Sequence, residues 1–410
     1  MPIWFKKWSL ENFTTTILFG ALFLIPVLVS VNHYSYYVNN TAAIIMALIS
    51  IALSITFFPN AQIVNRKITL KQLMGPIAFI IIAGGWTYQY IPFYGIDRSL
   101  IYLSALIFYL SLHRKFQQSP ELTNIFLHHK LLTVTATCIF FILFVLFFAN
   151  AEDVPQLKPS PPLYRHLRHL NYEIFFGAVI ALLYLPSKNR HHESLAILFI
   201  CALLTIWSGA RGAAIAITIS FIIILLRTPR KEAIKTTFIL TGFVLISLLL
   251  VLSSDYDAIL KDTLGITTGD TINRISSGRL GIWSESVETL IKQGPVAILT
   301  GLGPDAFSRW GLFKSIVQPH NALVQVVMEF GLIGLAIFCF AIGRVSKQAL
   351  YLIRHSKDNL QIALSAAFIG GLAYSLVDGI FYHAYPLAMM IFLAAAIHSS
   401  AASMQAQALP

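Results

Sequence analysis

Charge is scarce in this chain. Only 11% of its 410 residues are Asp, Glu, Lys or Arg, against the ~25% that a water-soluble domain carries. A soluble globular fold is excluded. Cysteine is equally thin. Cys138, Cys201 and Cys339 all sit in apolar runs, and none has a neighbour at a metal-ligand spacing. This excludes a disulfide framework and a cysteine zinc site. Acidic residues number 18 against 29 basic ones. The net charge of +11 does not imply nucleic acid, because no long basic tract and no soluble domain is there to carry it. No small-x-small pattern follows the first apolar run after Lys6 and Lys7, so that run reads as an uncleaved first helix. No internal repeat is visible.

What is abundant is apolar helix. The chain is 57% hydrophobic, in runs of ~15–20 residues, the length of membrane helices rather than barrel strands. The expected fold is an all-α polytopic membrane protein, a single integral-membrane domain over residues 1–410, with about 12 transmembrane helices. The expected spans are 13–31, 41–58, 73–91, 99–112, 131–149, 171–186, 193–207, 212–226, 236–252, 321–341, 360–376 and 385–398. The connections alternate in charge. One set holds Lys6, Lys7, Arg66, Lys67, Lys71, Arg114, Lys115, Lys130, Lys188, Arg190, Arg227, Arg230, Lys231, Lys235, Arg344, Lys347, Arg354 and Lys357. The short connections of the other set hold only Arg98 and Arg211. The positive-inside rule makes the first set and both termini cytoplasmic.

Two longer segments fall on the external side, residues 150–170 and residues 253–319. Long translocated segments escape the charge rule, so their basic residues call for a functional reading. The second is a large periplasmic loop with helical patterning. Ser276 or Ser277 can cap a helix in which Trp283, Val287, Leu290 and Ile291 share a face, and Gly294-Pro295 stops it. Gly301, Gly303 and Pro304 form a turn, after which Asp305 can cap a second short helix. Both read as surface helices roofing a cavity.

The chemistry gathers at a few external positions. Arg279 lies in the first turn of the loop helix, where free N–H groups and the positive dipole end already favour an anion and a guanidinium adds a bidentate fork. Arg211 stands among small residues in Ser208-Gly209-Ala210-Arg211-Gly212-Ala213, which leave room for a ligand. His320 precedes the run from Ala322 to Ala341. The helix dipole there disfavours imidazolium, so a neutral proton acceptor is expected, although a histidine at that place can also be a cap. Glu329 reads as the only acid deep in a span, nine residues on and about 13 Å along the axis. It is a catalytic or proton-path candidate, or else a buried packing residue. Asp378 and His383 sit in the last external connection, where Asp378 can orient His320, bind a sugar hydroxyl or cap a helix. Asp255-Tyr256-Asp257 has the Asp-x-Asp form of a metal site but is short and isolated. The run Tyr164-Arg165-His166-Leu167-Arg168-His169 can meet acidic headgroups or ride at the interface.

With these residues placed, the chain resembles the bacterial O-antigen ligase and polymerase superfamily. The matching text is Ser208-Gly209-Ala210-Arg211-Gly212, Ser277-Gly278-Arg279-Leu280, Gly301-Leu302-Gly303-Pro304-Asp305-Ala306-Phe307, and His320-Asn321-Ala322-Leu323 with Glu329, Gly331 and Gly334. The resemblance implies a ligase that moves a glycan from undecaprenyl pyrophosphate to a sugar hydroxyl of lipid A–core, at the periplasmic face of the inner membrane. It implies no metal and no cofactor. Carried over by motif, Arg211 and Arg279 bind the pyrophosphate and His320 is the catalytic histidine. Arg274, Asn321 and Asp378 join them as substrate-binding candidates.

The alternatives are an O-antigen polymerase, which shares the donor but accepts a lipid-linked glycan, and an O-linked protein glycosyltransferase. A transporter or flippase belongs to another class. It would place ionisable groups near the midplane in repeated, broken helices, whereas here they collect at one face.

Overall fold

The computed structural model describes residues 94–118, 123, 167–185, 191–252, 278–309 and 318–407. The expected spans 13–31, 41–58, 73–91 and 131–149 lie outside the described residues, as do Asp255, Asp257 and Arg274. Each remaining expected span coincides with a helix, and among the described residues there is no strand. In chain order the helices are α1 (Tyr94–Gln118), α2 (Leu167–Tyr184), α3 (His191–Ser208), α4 (Arg211–Arg227), α5 (Arg230–Leu252), α6 (Arg279–Lys292), α7 (Pro295–Thr300), α8 (Ala306–Arg309), α9 (Ala322–His355), α10 (Asn359–Ser375) and α11 (Ala384–Gln407). Four of them, α3, α5, α9 and α11, are long and apolar enough to cross a membrane. The protein is an all-α, membrane-associated bundle.

Small residues set the tightest helix pair. On α4, Gly212, Ala216 and Ser220 recur every fourth residue and are all buried, which brings two backbones close without side chains between them. The partner is α10, where Gly370 faces Ala216 and Ser220. Ser220 Oγ spans the seam, donating to Ala366 O at 3.0 Å. A methyl group on Gly212 would lie 2.8 Å from the Tyr374 ring. Aromatic contacts join α1 to α11, with Phe116 and Phe392 edge to face at 5.1 Å between centroids.

Helix α9 is the longest and carries a break. It extends to His355, past the expected end at 341, because Arg344, Lys347 and Arg354 continue the helix beyond its apolar stretch. Inside it Gly331 has φ 64° and ψ −164°, a conformation that only glycine occupies readily. The break frees carbonyls, and the 299–303 segment takes them. Leu302 N donates to Met328 O at 2.8 Å and Gly303 N to Glu329 O at 2.9 Å. Contact is backbone on backbone, so any side chain at Gly301 or Gly331 would strike the opposite chain.

The helix starts differ from expectation in one respect. The N-cap of α6 is Gly278, left-handed at φ 74°, with no side-chain cap bond; Ser276 and Ser277, the expected caps, lie outside the described residues. Glycine takes the left-handed turn at no steric cost, and the turn replaces the cap. The chain stops at Lys292, as Gly294-Pro295 requires, and Pro295 opens α7.

Chain direction sorts the ends of the bundle. The heads of α1, α2, α4, α9 and α11 and the tail of α10 lie at one end. The opposite end carries Arg114, Lys115, Arg227, Arg230, Lys231, Lys235, Arg344, Lys347, Arg354 and Lys357. There Arg227 Nη2 donates to Ser356 O at 3.2 Å.

Candidate functional site at the His320 end

His320 heads α9 in a left-handed conformation, φ 56°. It shares this rare backbone with Asp305 alone among the described non-glycine residues. Strain of this kind costs about 1–3 kcal/mol and concentrates at working sites. Asn321 is the true N-cap. Its side-chain oxygen accepts from Leu323 N at 2.9 Å and Val324 N at 3.2 Å, while its amide donates to Leu376 O at 3.1 Å. That bond docks the head of α9 onto the tail of α10.

The docking brings Asp378 to His320. Asp378 Oδ1 lies 3.5 Å from His320 Nδ1, long for a hydrogen bond and within ion-pair reach. The same oxygen accepts from Gly379 N at 2.7 Å and from the Tyr172 hydroxyl at 3.3 Å. Both side chains are buried, His320 with 8% and Asp378 with 7% of their surface exposed. A carboxylate on the Nδ1 side favours the tautomer whose proton is on Nδ1 and whose Nε2 accepts. A second buried histidine, His383, has its Nε2 3.2 Å from the Gln318 amide nitrogen, which makes that ring nitrogen the acceptor. Gln318 lies over Gly379, whose lack of a side chain makes the space.

Two helix heads flank this pair. Arg211 opens α4 and is exposed. Gly212 beside it packs on Tyr374 and Val377, so Arg211 stands next to the segment that carries Asp378. Arg279 opens α6 and is half-buried. One turn on, the Trp283 indole donates to Pro319 O at 2.8 Å, which fastens α6 to the residue before His320. The sequence therefore named Arg211, Arg279, His320, Asn321 and Asp378, and the fold brings their elements to one place.

Several buried polar contacts escaped the sequence reading. Glu329 shares its burial with Glu173 near the head of α2, each at 1% exposure. Glu329 is a bonded interior residue, accepting from the Tyr102 hydroxyl at 2.6 Å and from the Gln325 amide at 3.2 Å. Asp305 does more than stand before α8. Its carboxylate accepts the Tyr382 hydroxyl at 2.8 Å. Burial, and next the Asp305 charge, push the Tyr382 phenol well above the usual tyrosine range, so it remains a donor. Tyr102, Tyr172, Gln318, Gln325 and Tyr382 carried no signal beyond being polar residues near apolar runs. Arg98, expected in an external connection, is buried in α1. Among the described residues no three of His, Cys, Asp and Glu gather as metal ligands.

The described part of the chain is a membrane-associated helical bundle with a buried His–Asp pair near the heads of two helices that open on arginine. Residues 196–339 match the family model described as O-Antigen ligase, the Wzy_C domain, so a domain of that family is present over this part of the chain. The match runs from within α3 into α9 and includes Arg211, Arg279, His320 and Asn321, ending before Asp378. No curated protein matches the chain.

Proposed function

We propose that this protein is a membrane-embedded O-antigen ligase that transfers a glycan from undecaprenyl pyrophosphate to a sugar hydroxyl of lipid A–core. The observation that carries the reading is the His320–Asp378 contact at 3.5 Å; its histidine lies inside the residues that match the O-antigen ligase model, and its aspartate lies beyond them. Asp378 holds the ring so that Nε2 takes the proton of the acceptor hydroxyl. The acceptor oxygen then bonds to the anomeric carbon as the bond from that carbon to the pyrophosphate oxygen breaks. Undecaprenyl pyrophosphate leaves with the electron pair, and the anomeric centre inverts. Arg211 and Arg279 offset the charge that grows on the pyrophosphate, together with the free N–H groups at the head of α6.

Arginine and helix termini supply the charge that a divalent metal supplies elsewhere, so transfer should survive excess EDTA. Chelation that stops turnover, with recovery on adding magnesium, would return Asp255 and Asp257 to the site. The decisive experiment combines the purified full chain, undecaprenyl-pyrophosphate glycan and lipid A–core. Ligated lipid A–core is the expected product. Elongated lipid-linked glycan without ligation would assign polymerase activity instead, and no transfer under any acceptor would defeat the reading.

A further inference from the structure

Among the described residues Arg98 is the one arginine with less than a tenth of its surface exposed. Its Cζ lies 4.2 Å from the centre of the Tyr382 ring and 4.9 Å from that of Tyr102. Its Nε donates to the Tyr102 hydroxyl at 3.3 Å. Its Nη2 is shut off from solvent and has no hydrogen-bond partner. An orphaned guanidinium N–H lowers stability, and the two ring faces offset only part of that. Its charge offsets the carboxylates of Glu329 and Asp305, yet an unpaired buried N–H still calls for a further reason.

Its contacts supply one. Through Tyr102, Arg98 reaches Glu329 and Gln325. Both belong to the half-helix between Asn321 and the break at Gly331, the piece headed by His320. Through Tyr382, Arg98 reaches the turn that begins at Asp378, in which Tyr382 N donates to Gly379 O at 3.0 Å. Tyr382 in turn holds Asp305, at the end of the segment that fills the α9 break. The two sides also meet at His320–Asp378, at Asn321–Leu376 and at Gln318–His383, and this cation adds a link through two aromatic rings.

We propose that Arg98 is a positioning residue: packed against Tyr102 and Tyr382, its guanidinium holds the half-helix that carries His320 and the turn that carries Asp378 in a common register. The role rests on the ligase reading for its reaction and on the contacts above for its mechanism.

The test compares Arg98→Met, Arg98→Lys, Tyr382→Phe and Tyr382→Leu in the purified full chain, with thermal unfolding as the check on folding. Arg98→Met should lower kcat on the order of 100-fold, as a misplaced catalytic group does, while the donor KM stays within about twofold. The acid limb of its pH–rate profile should move, because the aspartate no longer sets the imidazole. Lysine keeps the charge but not the planar face, so Arg98→Lys should recover little. Tyr382→Phe keeps the ring and should retain most of the rate; Tyr382→Leu should lose it. Equal rates for the Phe and Leu variants, or an unchanged kcat and pH profile in a folded Arg98→Met protein, would overturn the proposal and leave the ligase reading intact. If wild type transfers nothing, the ligase reading fails by itself. Register is then read from the rate at which diethyl pyrocarbonate modifies His320, followed by peptide mass spectrometry. A faster rate in Tyr382→Leu than in Tyr382→Phe supports the role, and identical rates sink it.

Discussion

His320 joins two demands in one residue: a left-handed backbone and a ring beside Asp378. The variants can separate them. Asparagine tolerates a left-handed φ better than most side chains, so His320→Asn keeps the backbone and removes the base. It should lose ~10²–10⁴ in rate, the usual worth of a general base, with unfolding unchanged. A fully active Asn variant would reduce His320 to a turn residue. Asp378→Asn should fall comparably through the wrong tautomer. In wild type the rate should drop on the acid side, since only the neutral imidazole accepts a proton. The arginines answer a different question. Arg279→Ala should lose about 2.7–4 kcal/mol of transition-state stabilisation, as for a lost oxyanion donor. Arg279→Lys should also be impaired, because a point charge lacks the fork. The same order is expected at Arg211, and near-normal turnover in both alanine variants would remove the anion site.

At the scale of elements, the break in α9 is what lets a loop enter the bundle. Gly331 lies where only glycine is at ease, and its missing side chain is the space taken by the Leu299 carbonyl. Gly331→Ala should therefore destabilise by more than the ~1–3 kcal/mol of backbone strain alone. Gly343 lies on the same helix with nothing within 4 Å of an added methyl group. Gly343→Ala should be neutral or gain up to ~1 kcal/mol, the ordinary helix preference. Unfolding in detergent, followed by circular dichroism, compares the two. Similar midpoints would mean that the 299–303 segment does not hold the break. Periodicity had located α6 and α9, since apolar spacing is local. It had no means of showing that Gly301 and Gly331 face one another, because that depends on two segments about thirty residues apart.

For the whole molecule, the His320 end and the basic end are opposite. If the basic end faces the cytoplasm, then cysteines placed beside Arg211, Arg279, His320 and Asp378 should react with an impermeant thiol reagent in intact spheroplasts. Cysteines beside Arg230 and Lys357 should react only after permeabilisation. The reverse pattern would put the site in the cytoplasm and defeat a periplasmic ligase.

Sequence alone determined the solvent, the helical class and the residue types that could do chemistry. Apolar run length, charge alternation and short motifs are properties of neighbours along the chain, and Arg211, Arg279, His320 and Asp378 were singled out as candidates by them. Tertiary structure decided which groups meet. The approach of Asp378 to His320 needs the α9 head docked on the α10 tail through Asn321 and Leu376. The burial of Arg98 against Tyr382 needs α1 beside a turn nearly three hundred residues away. The Glu329 carboxylate finds Tyr102 by the same route. Such contacts arise from packing between segments distant in the chain, where a lone arginine or tyrosine near an apolar run looks like any interfacial residue.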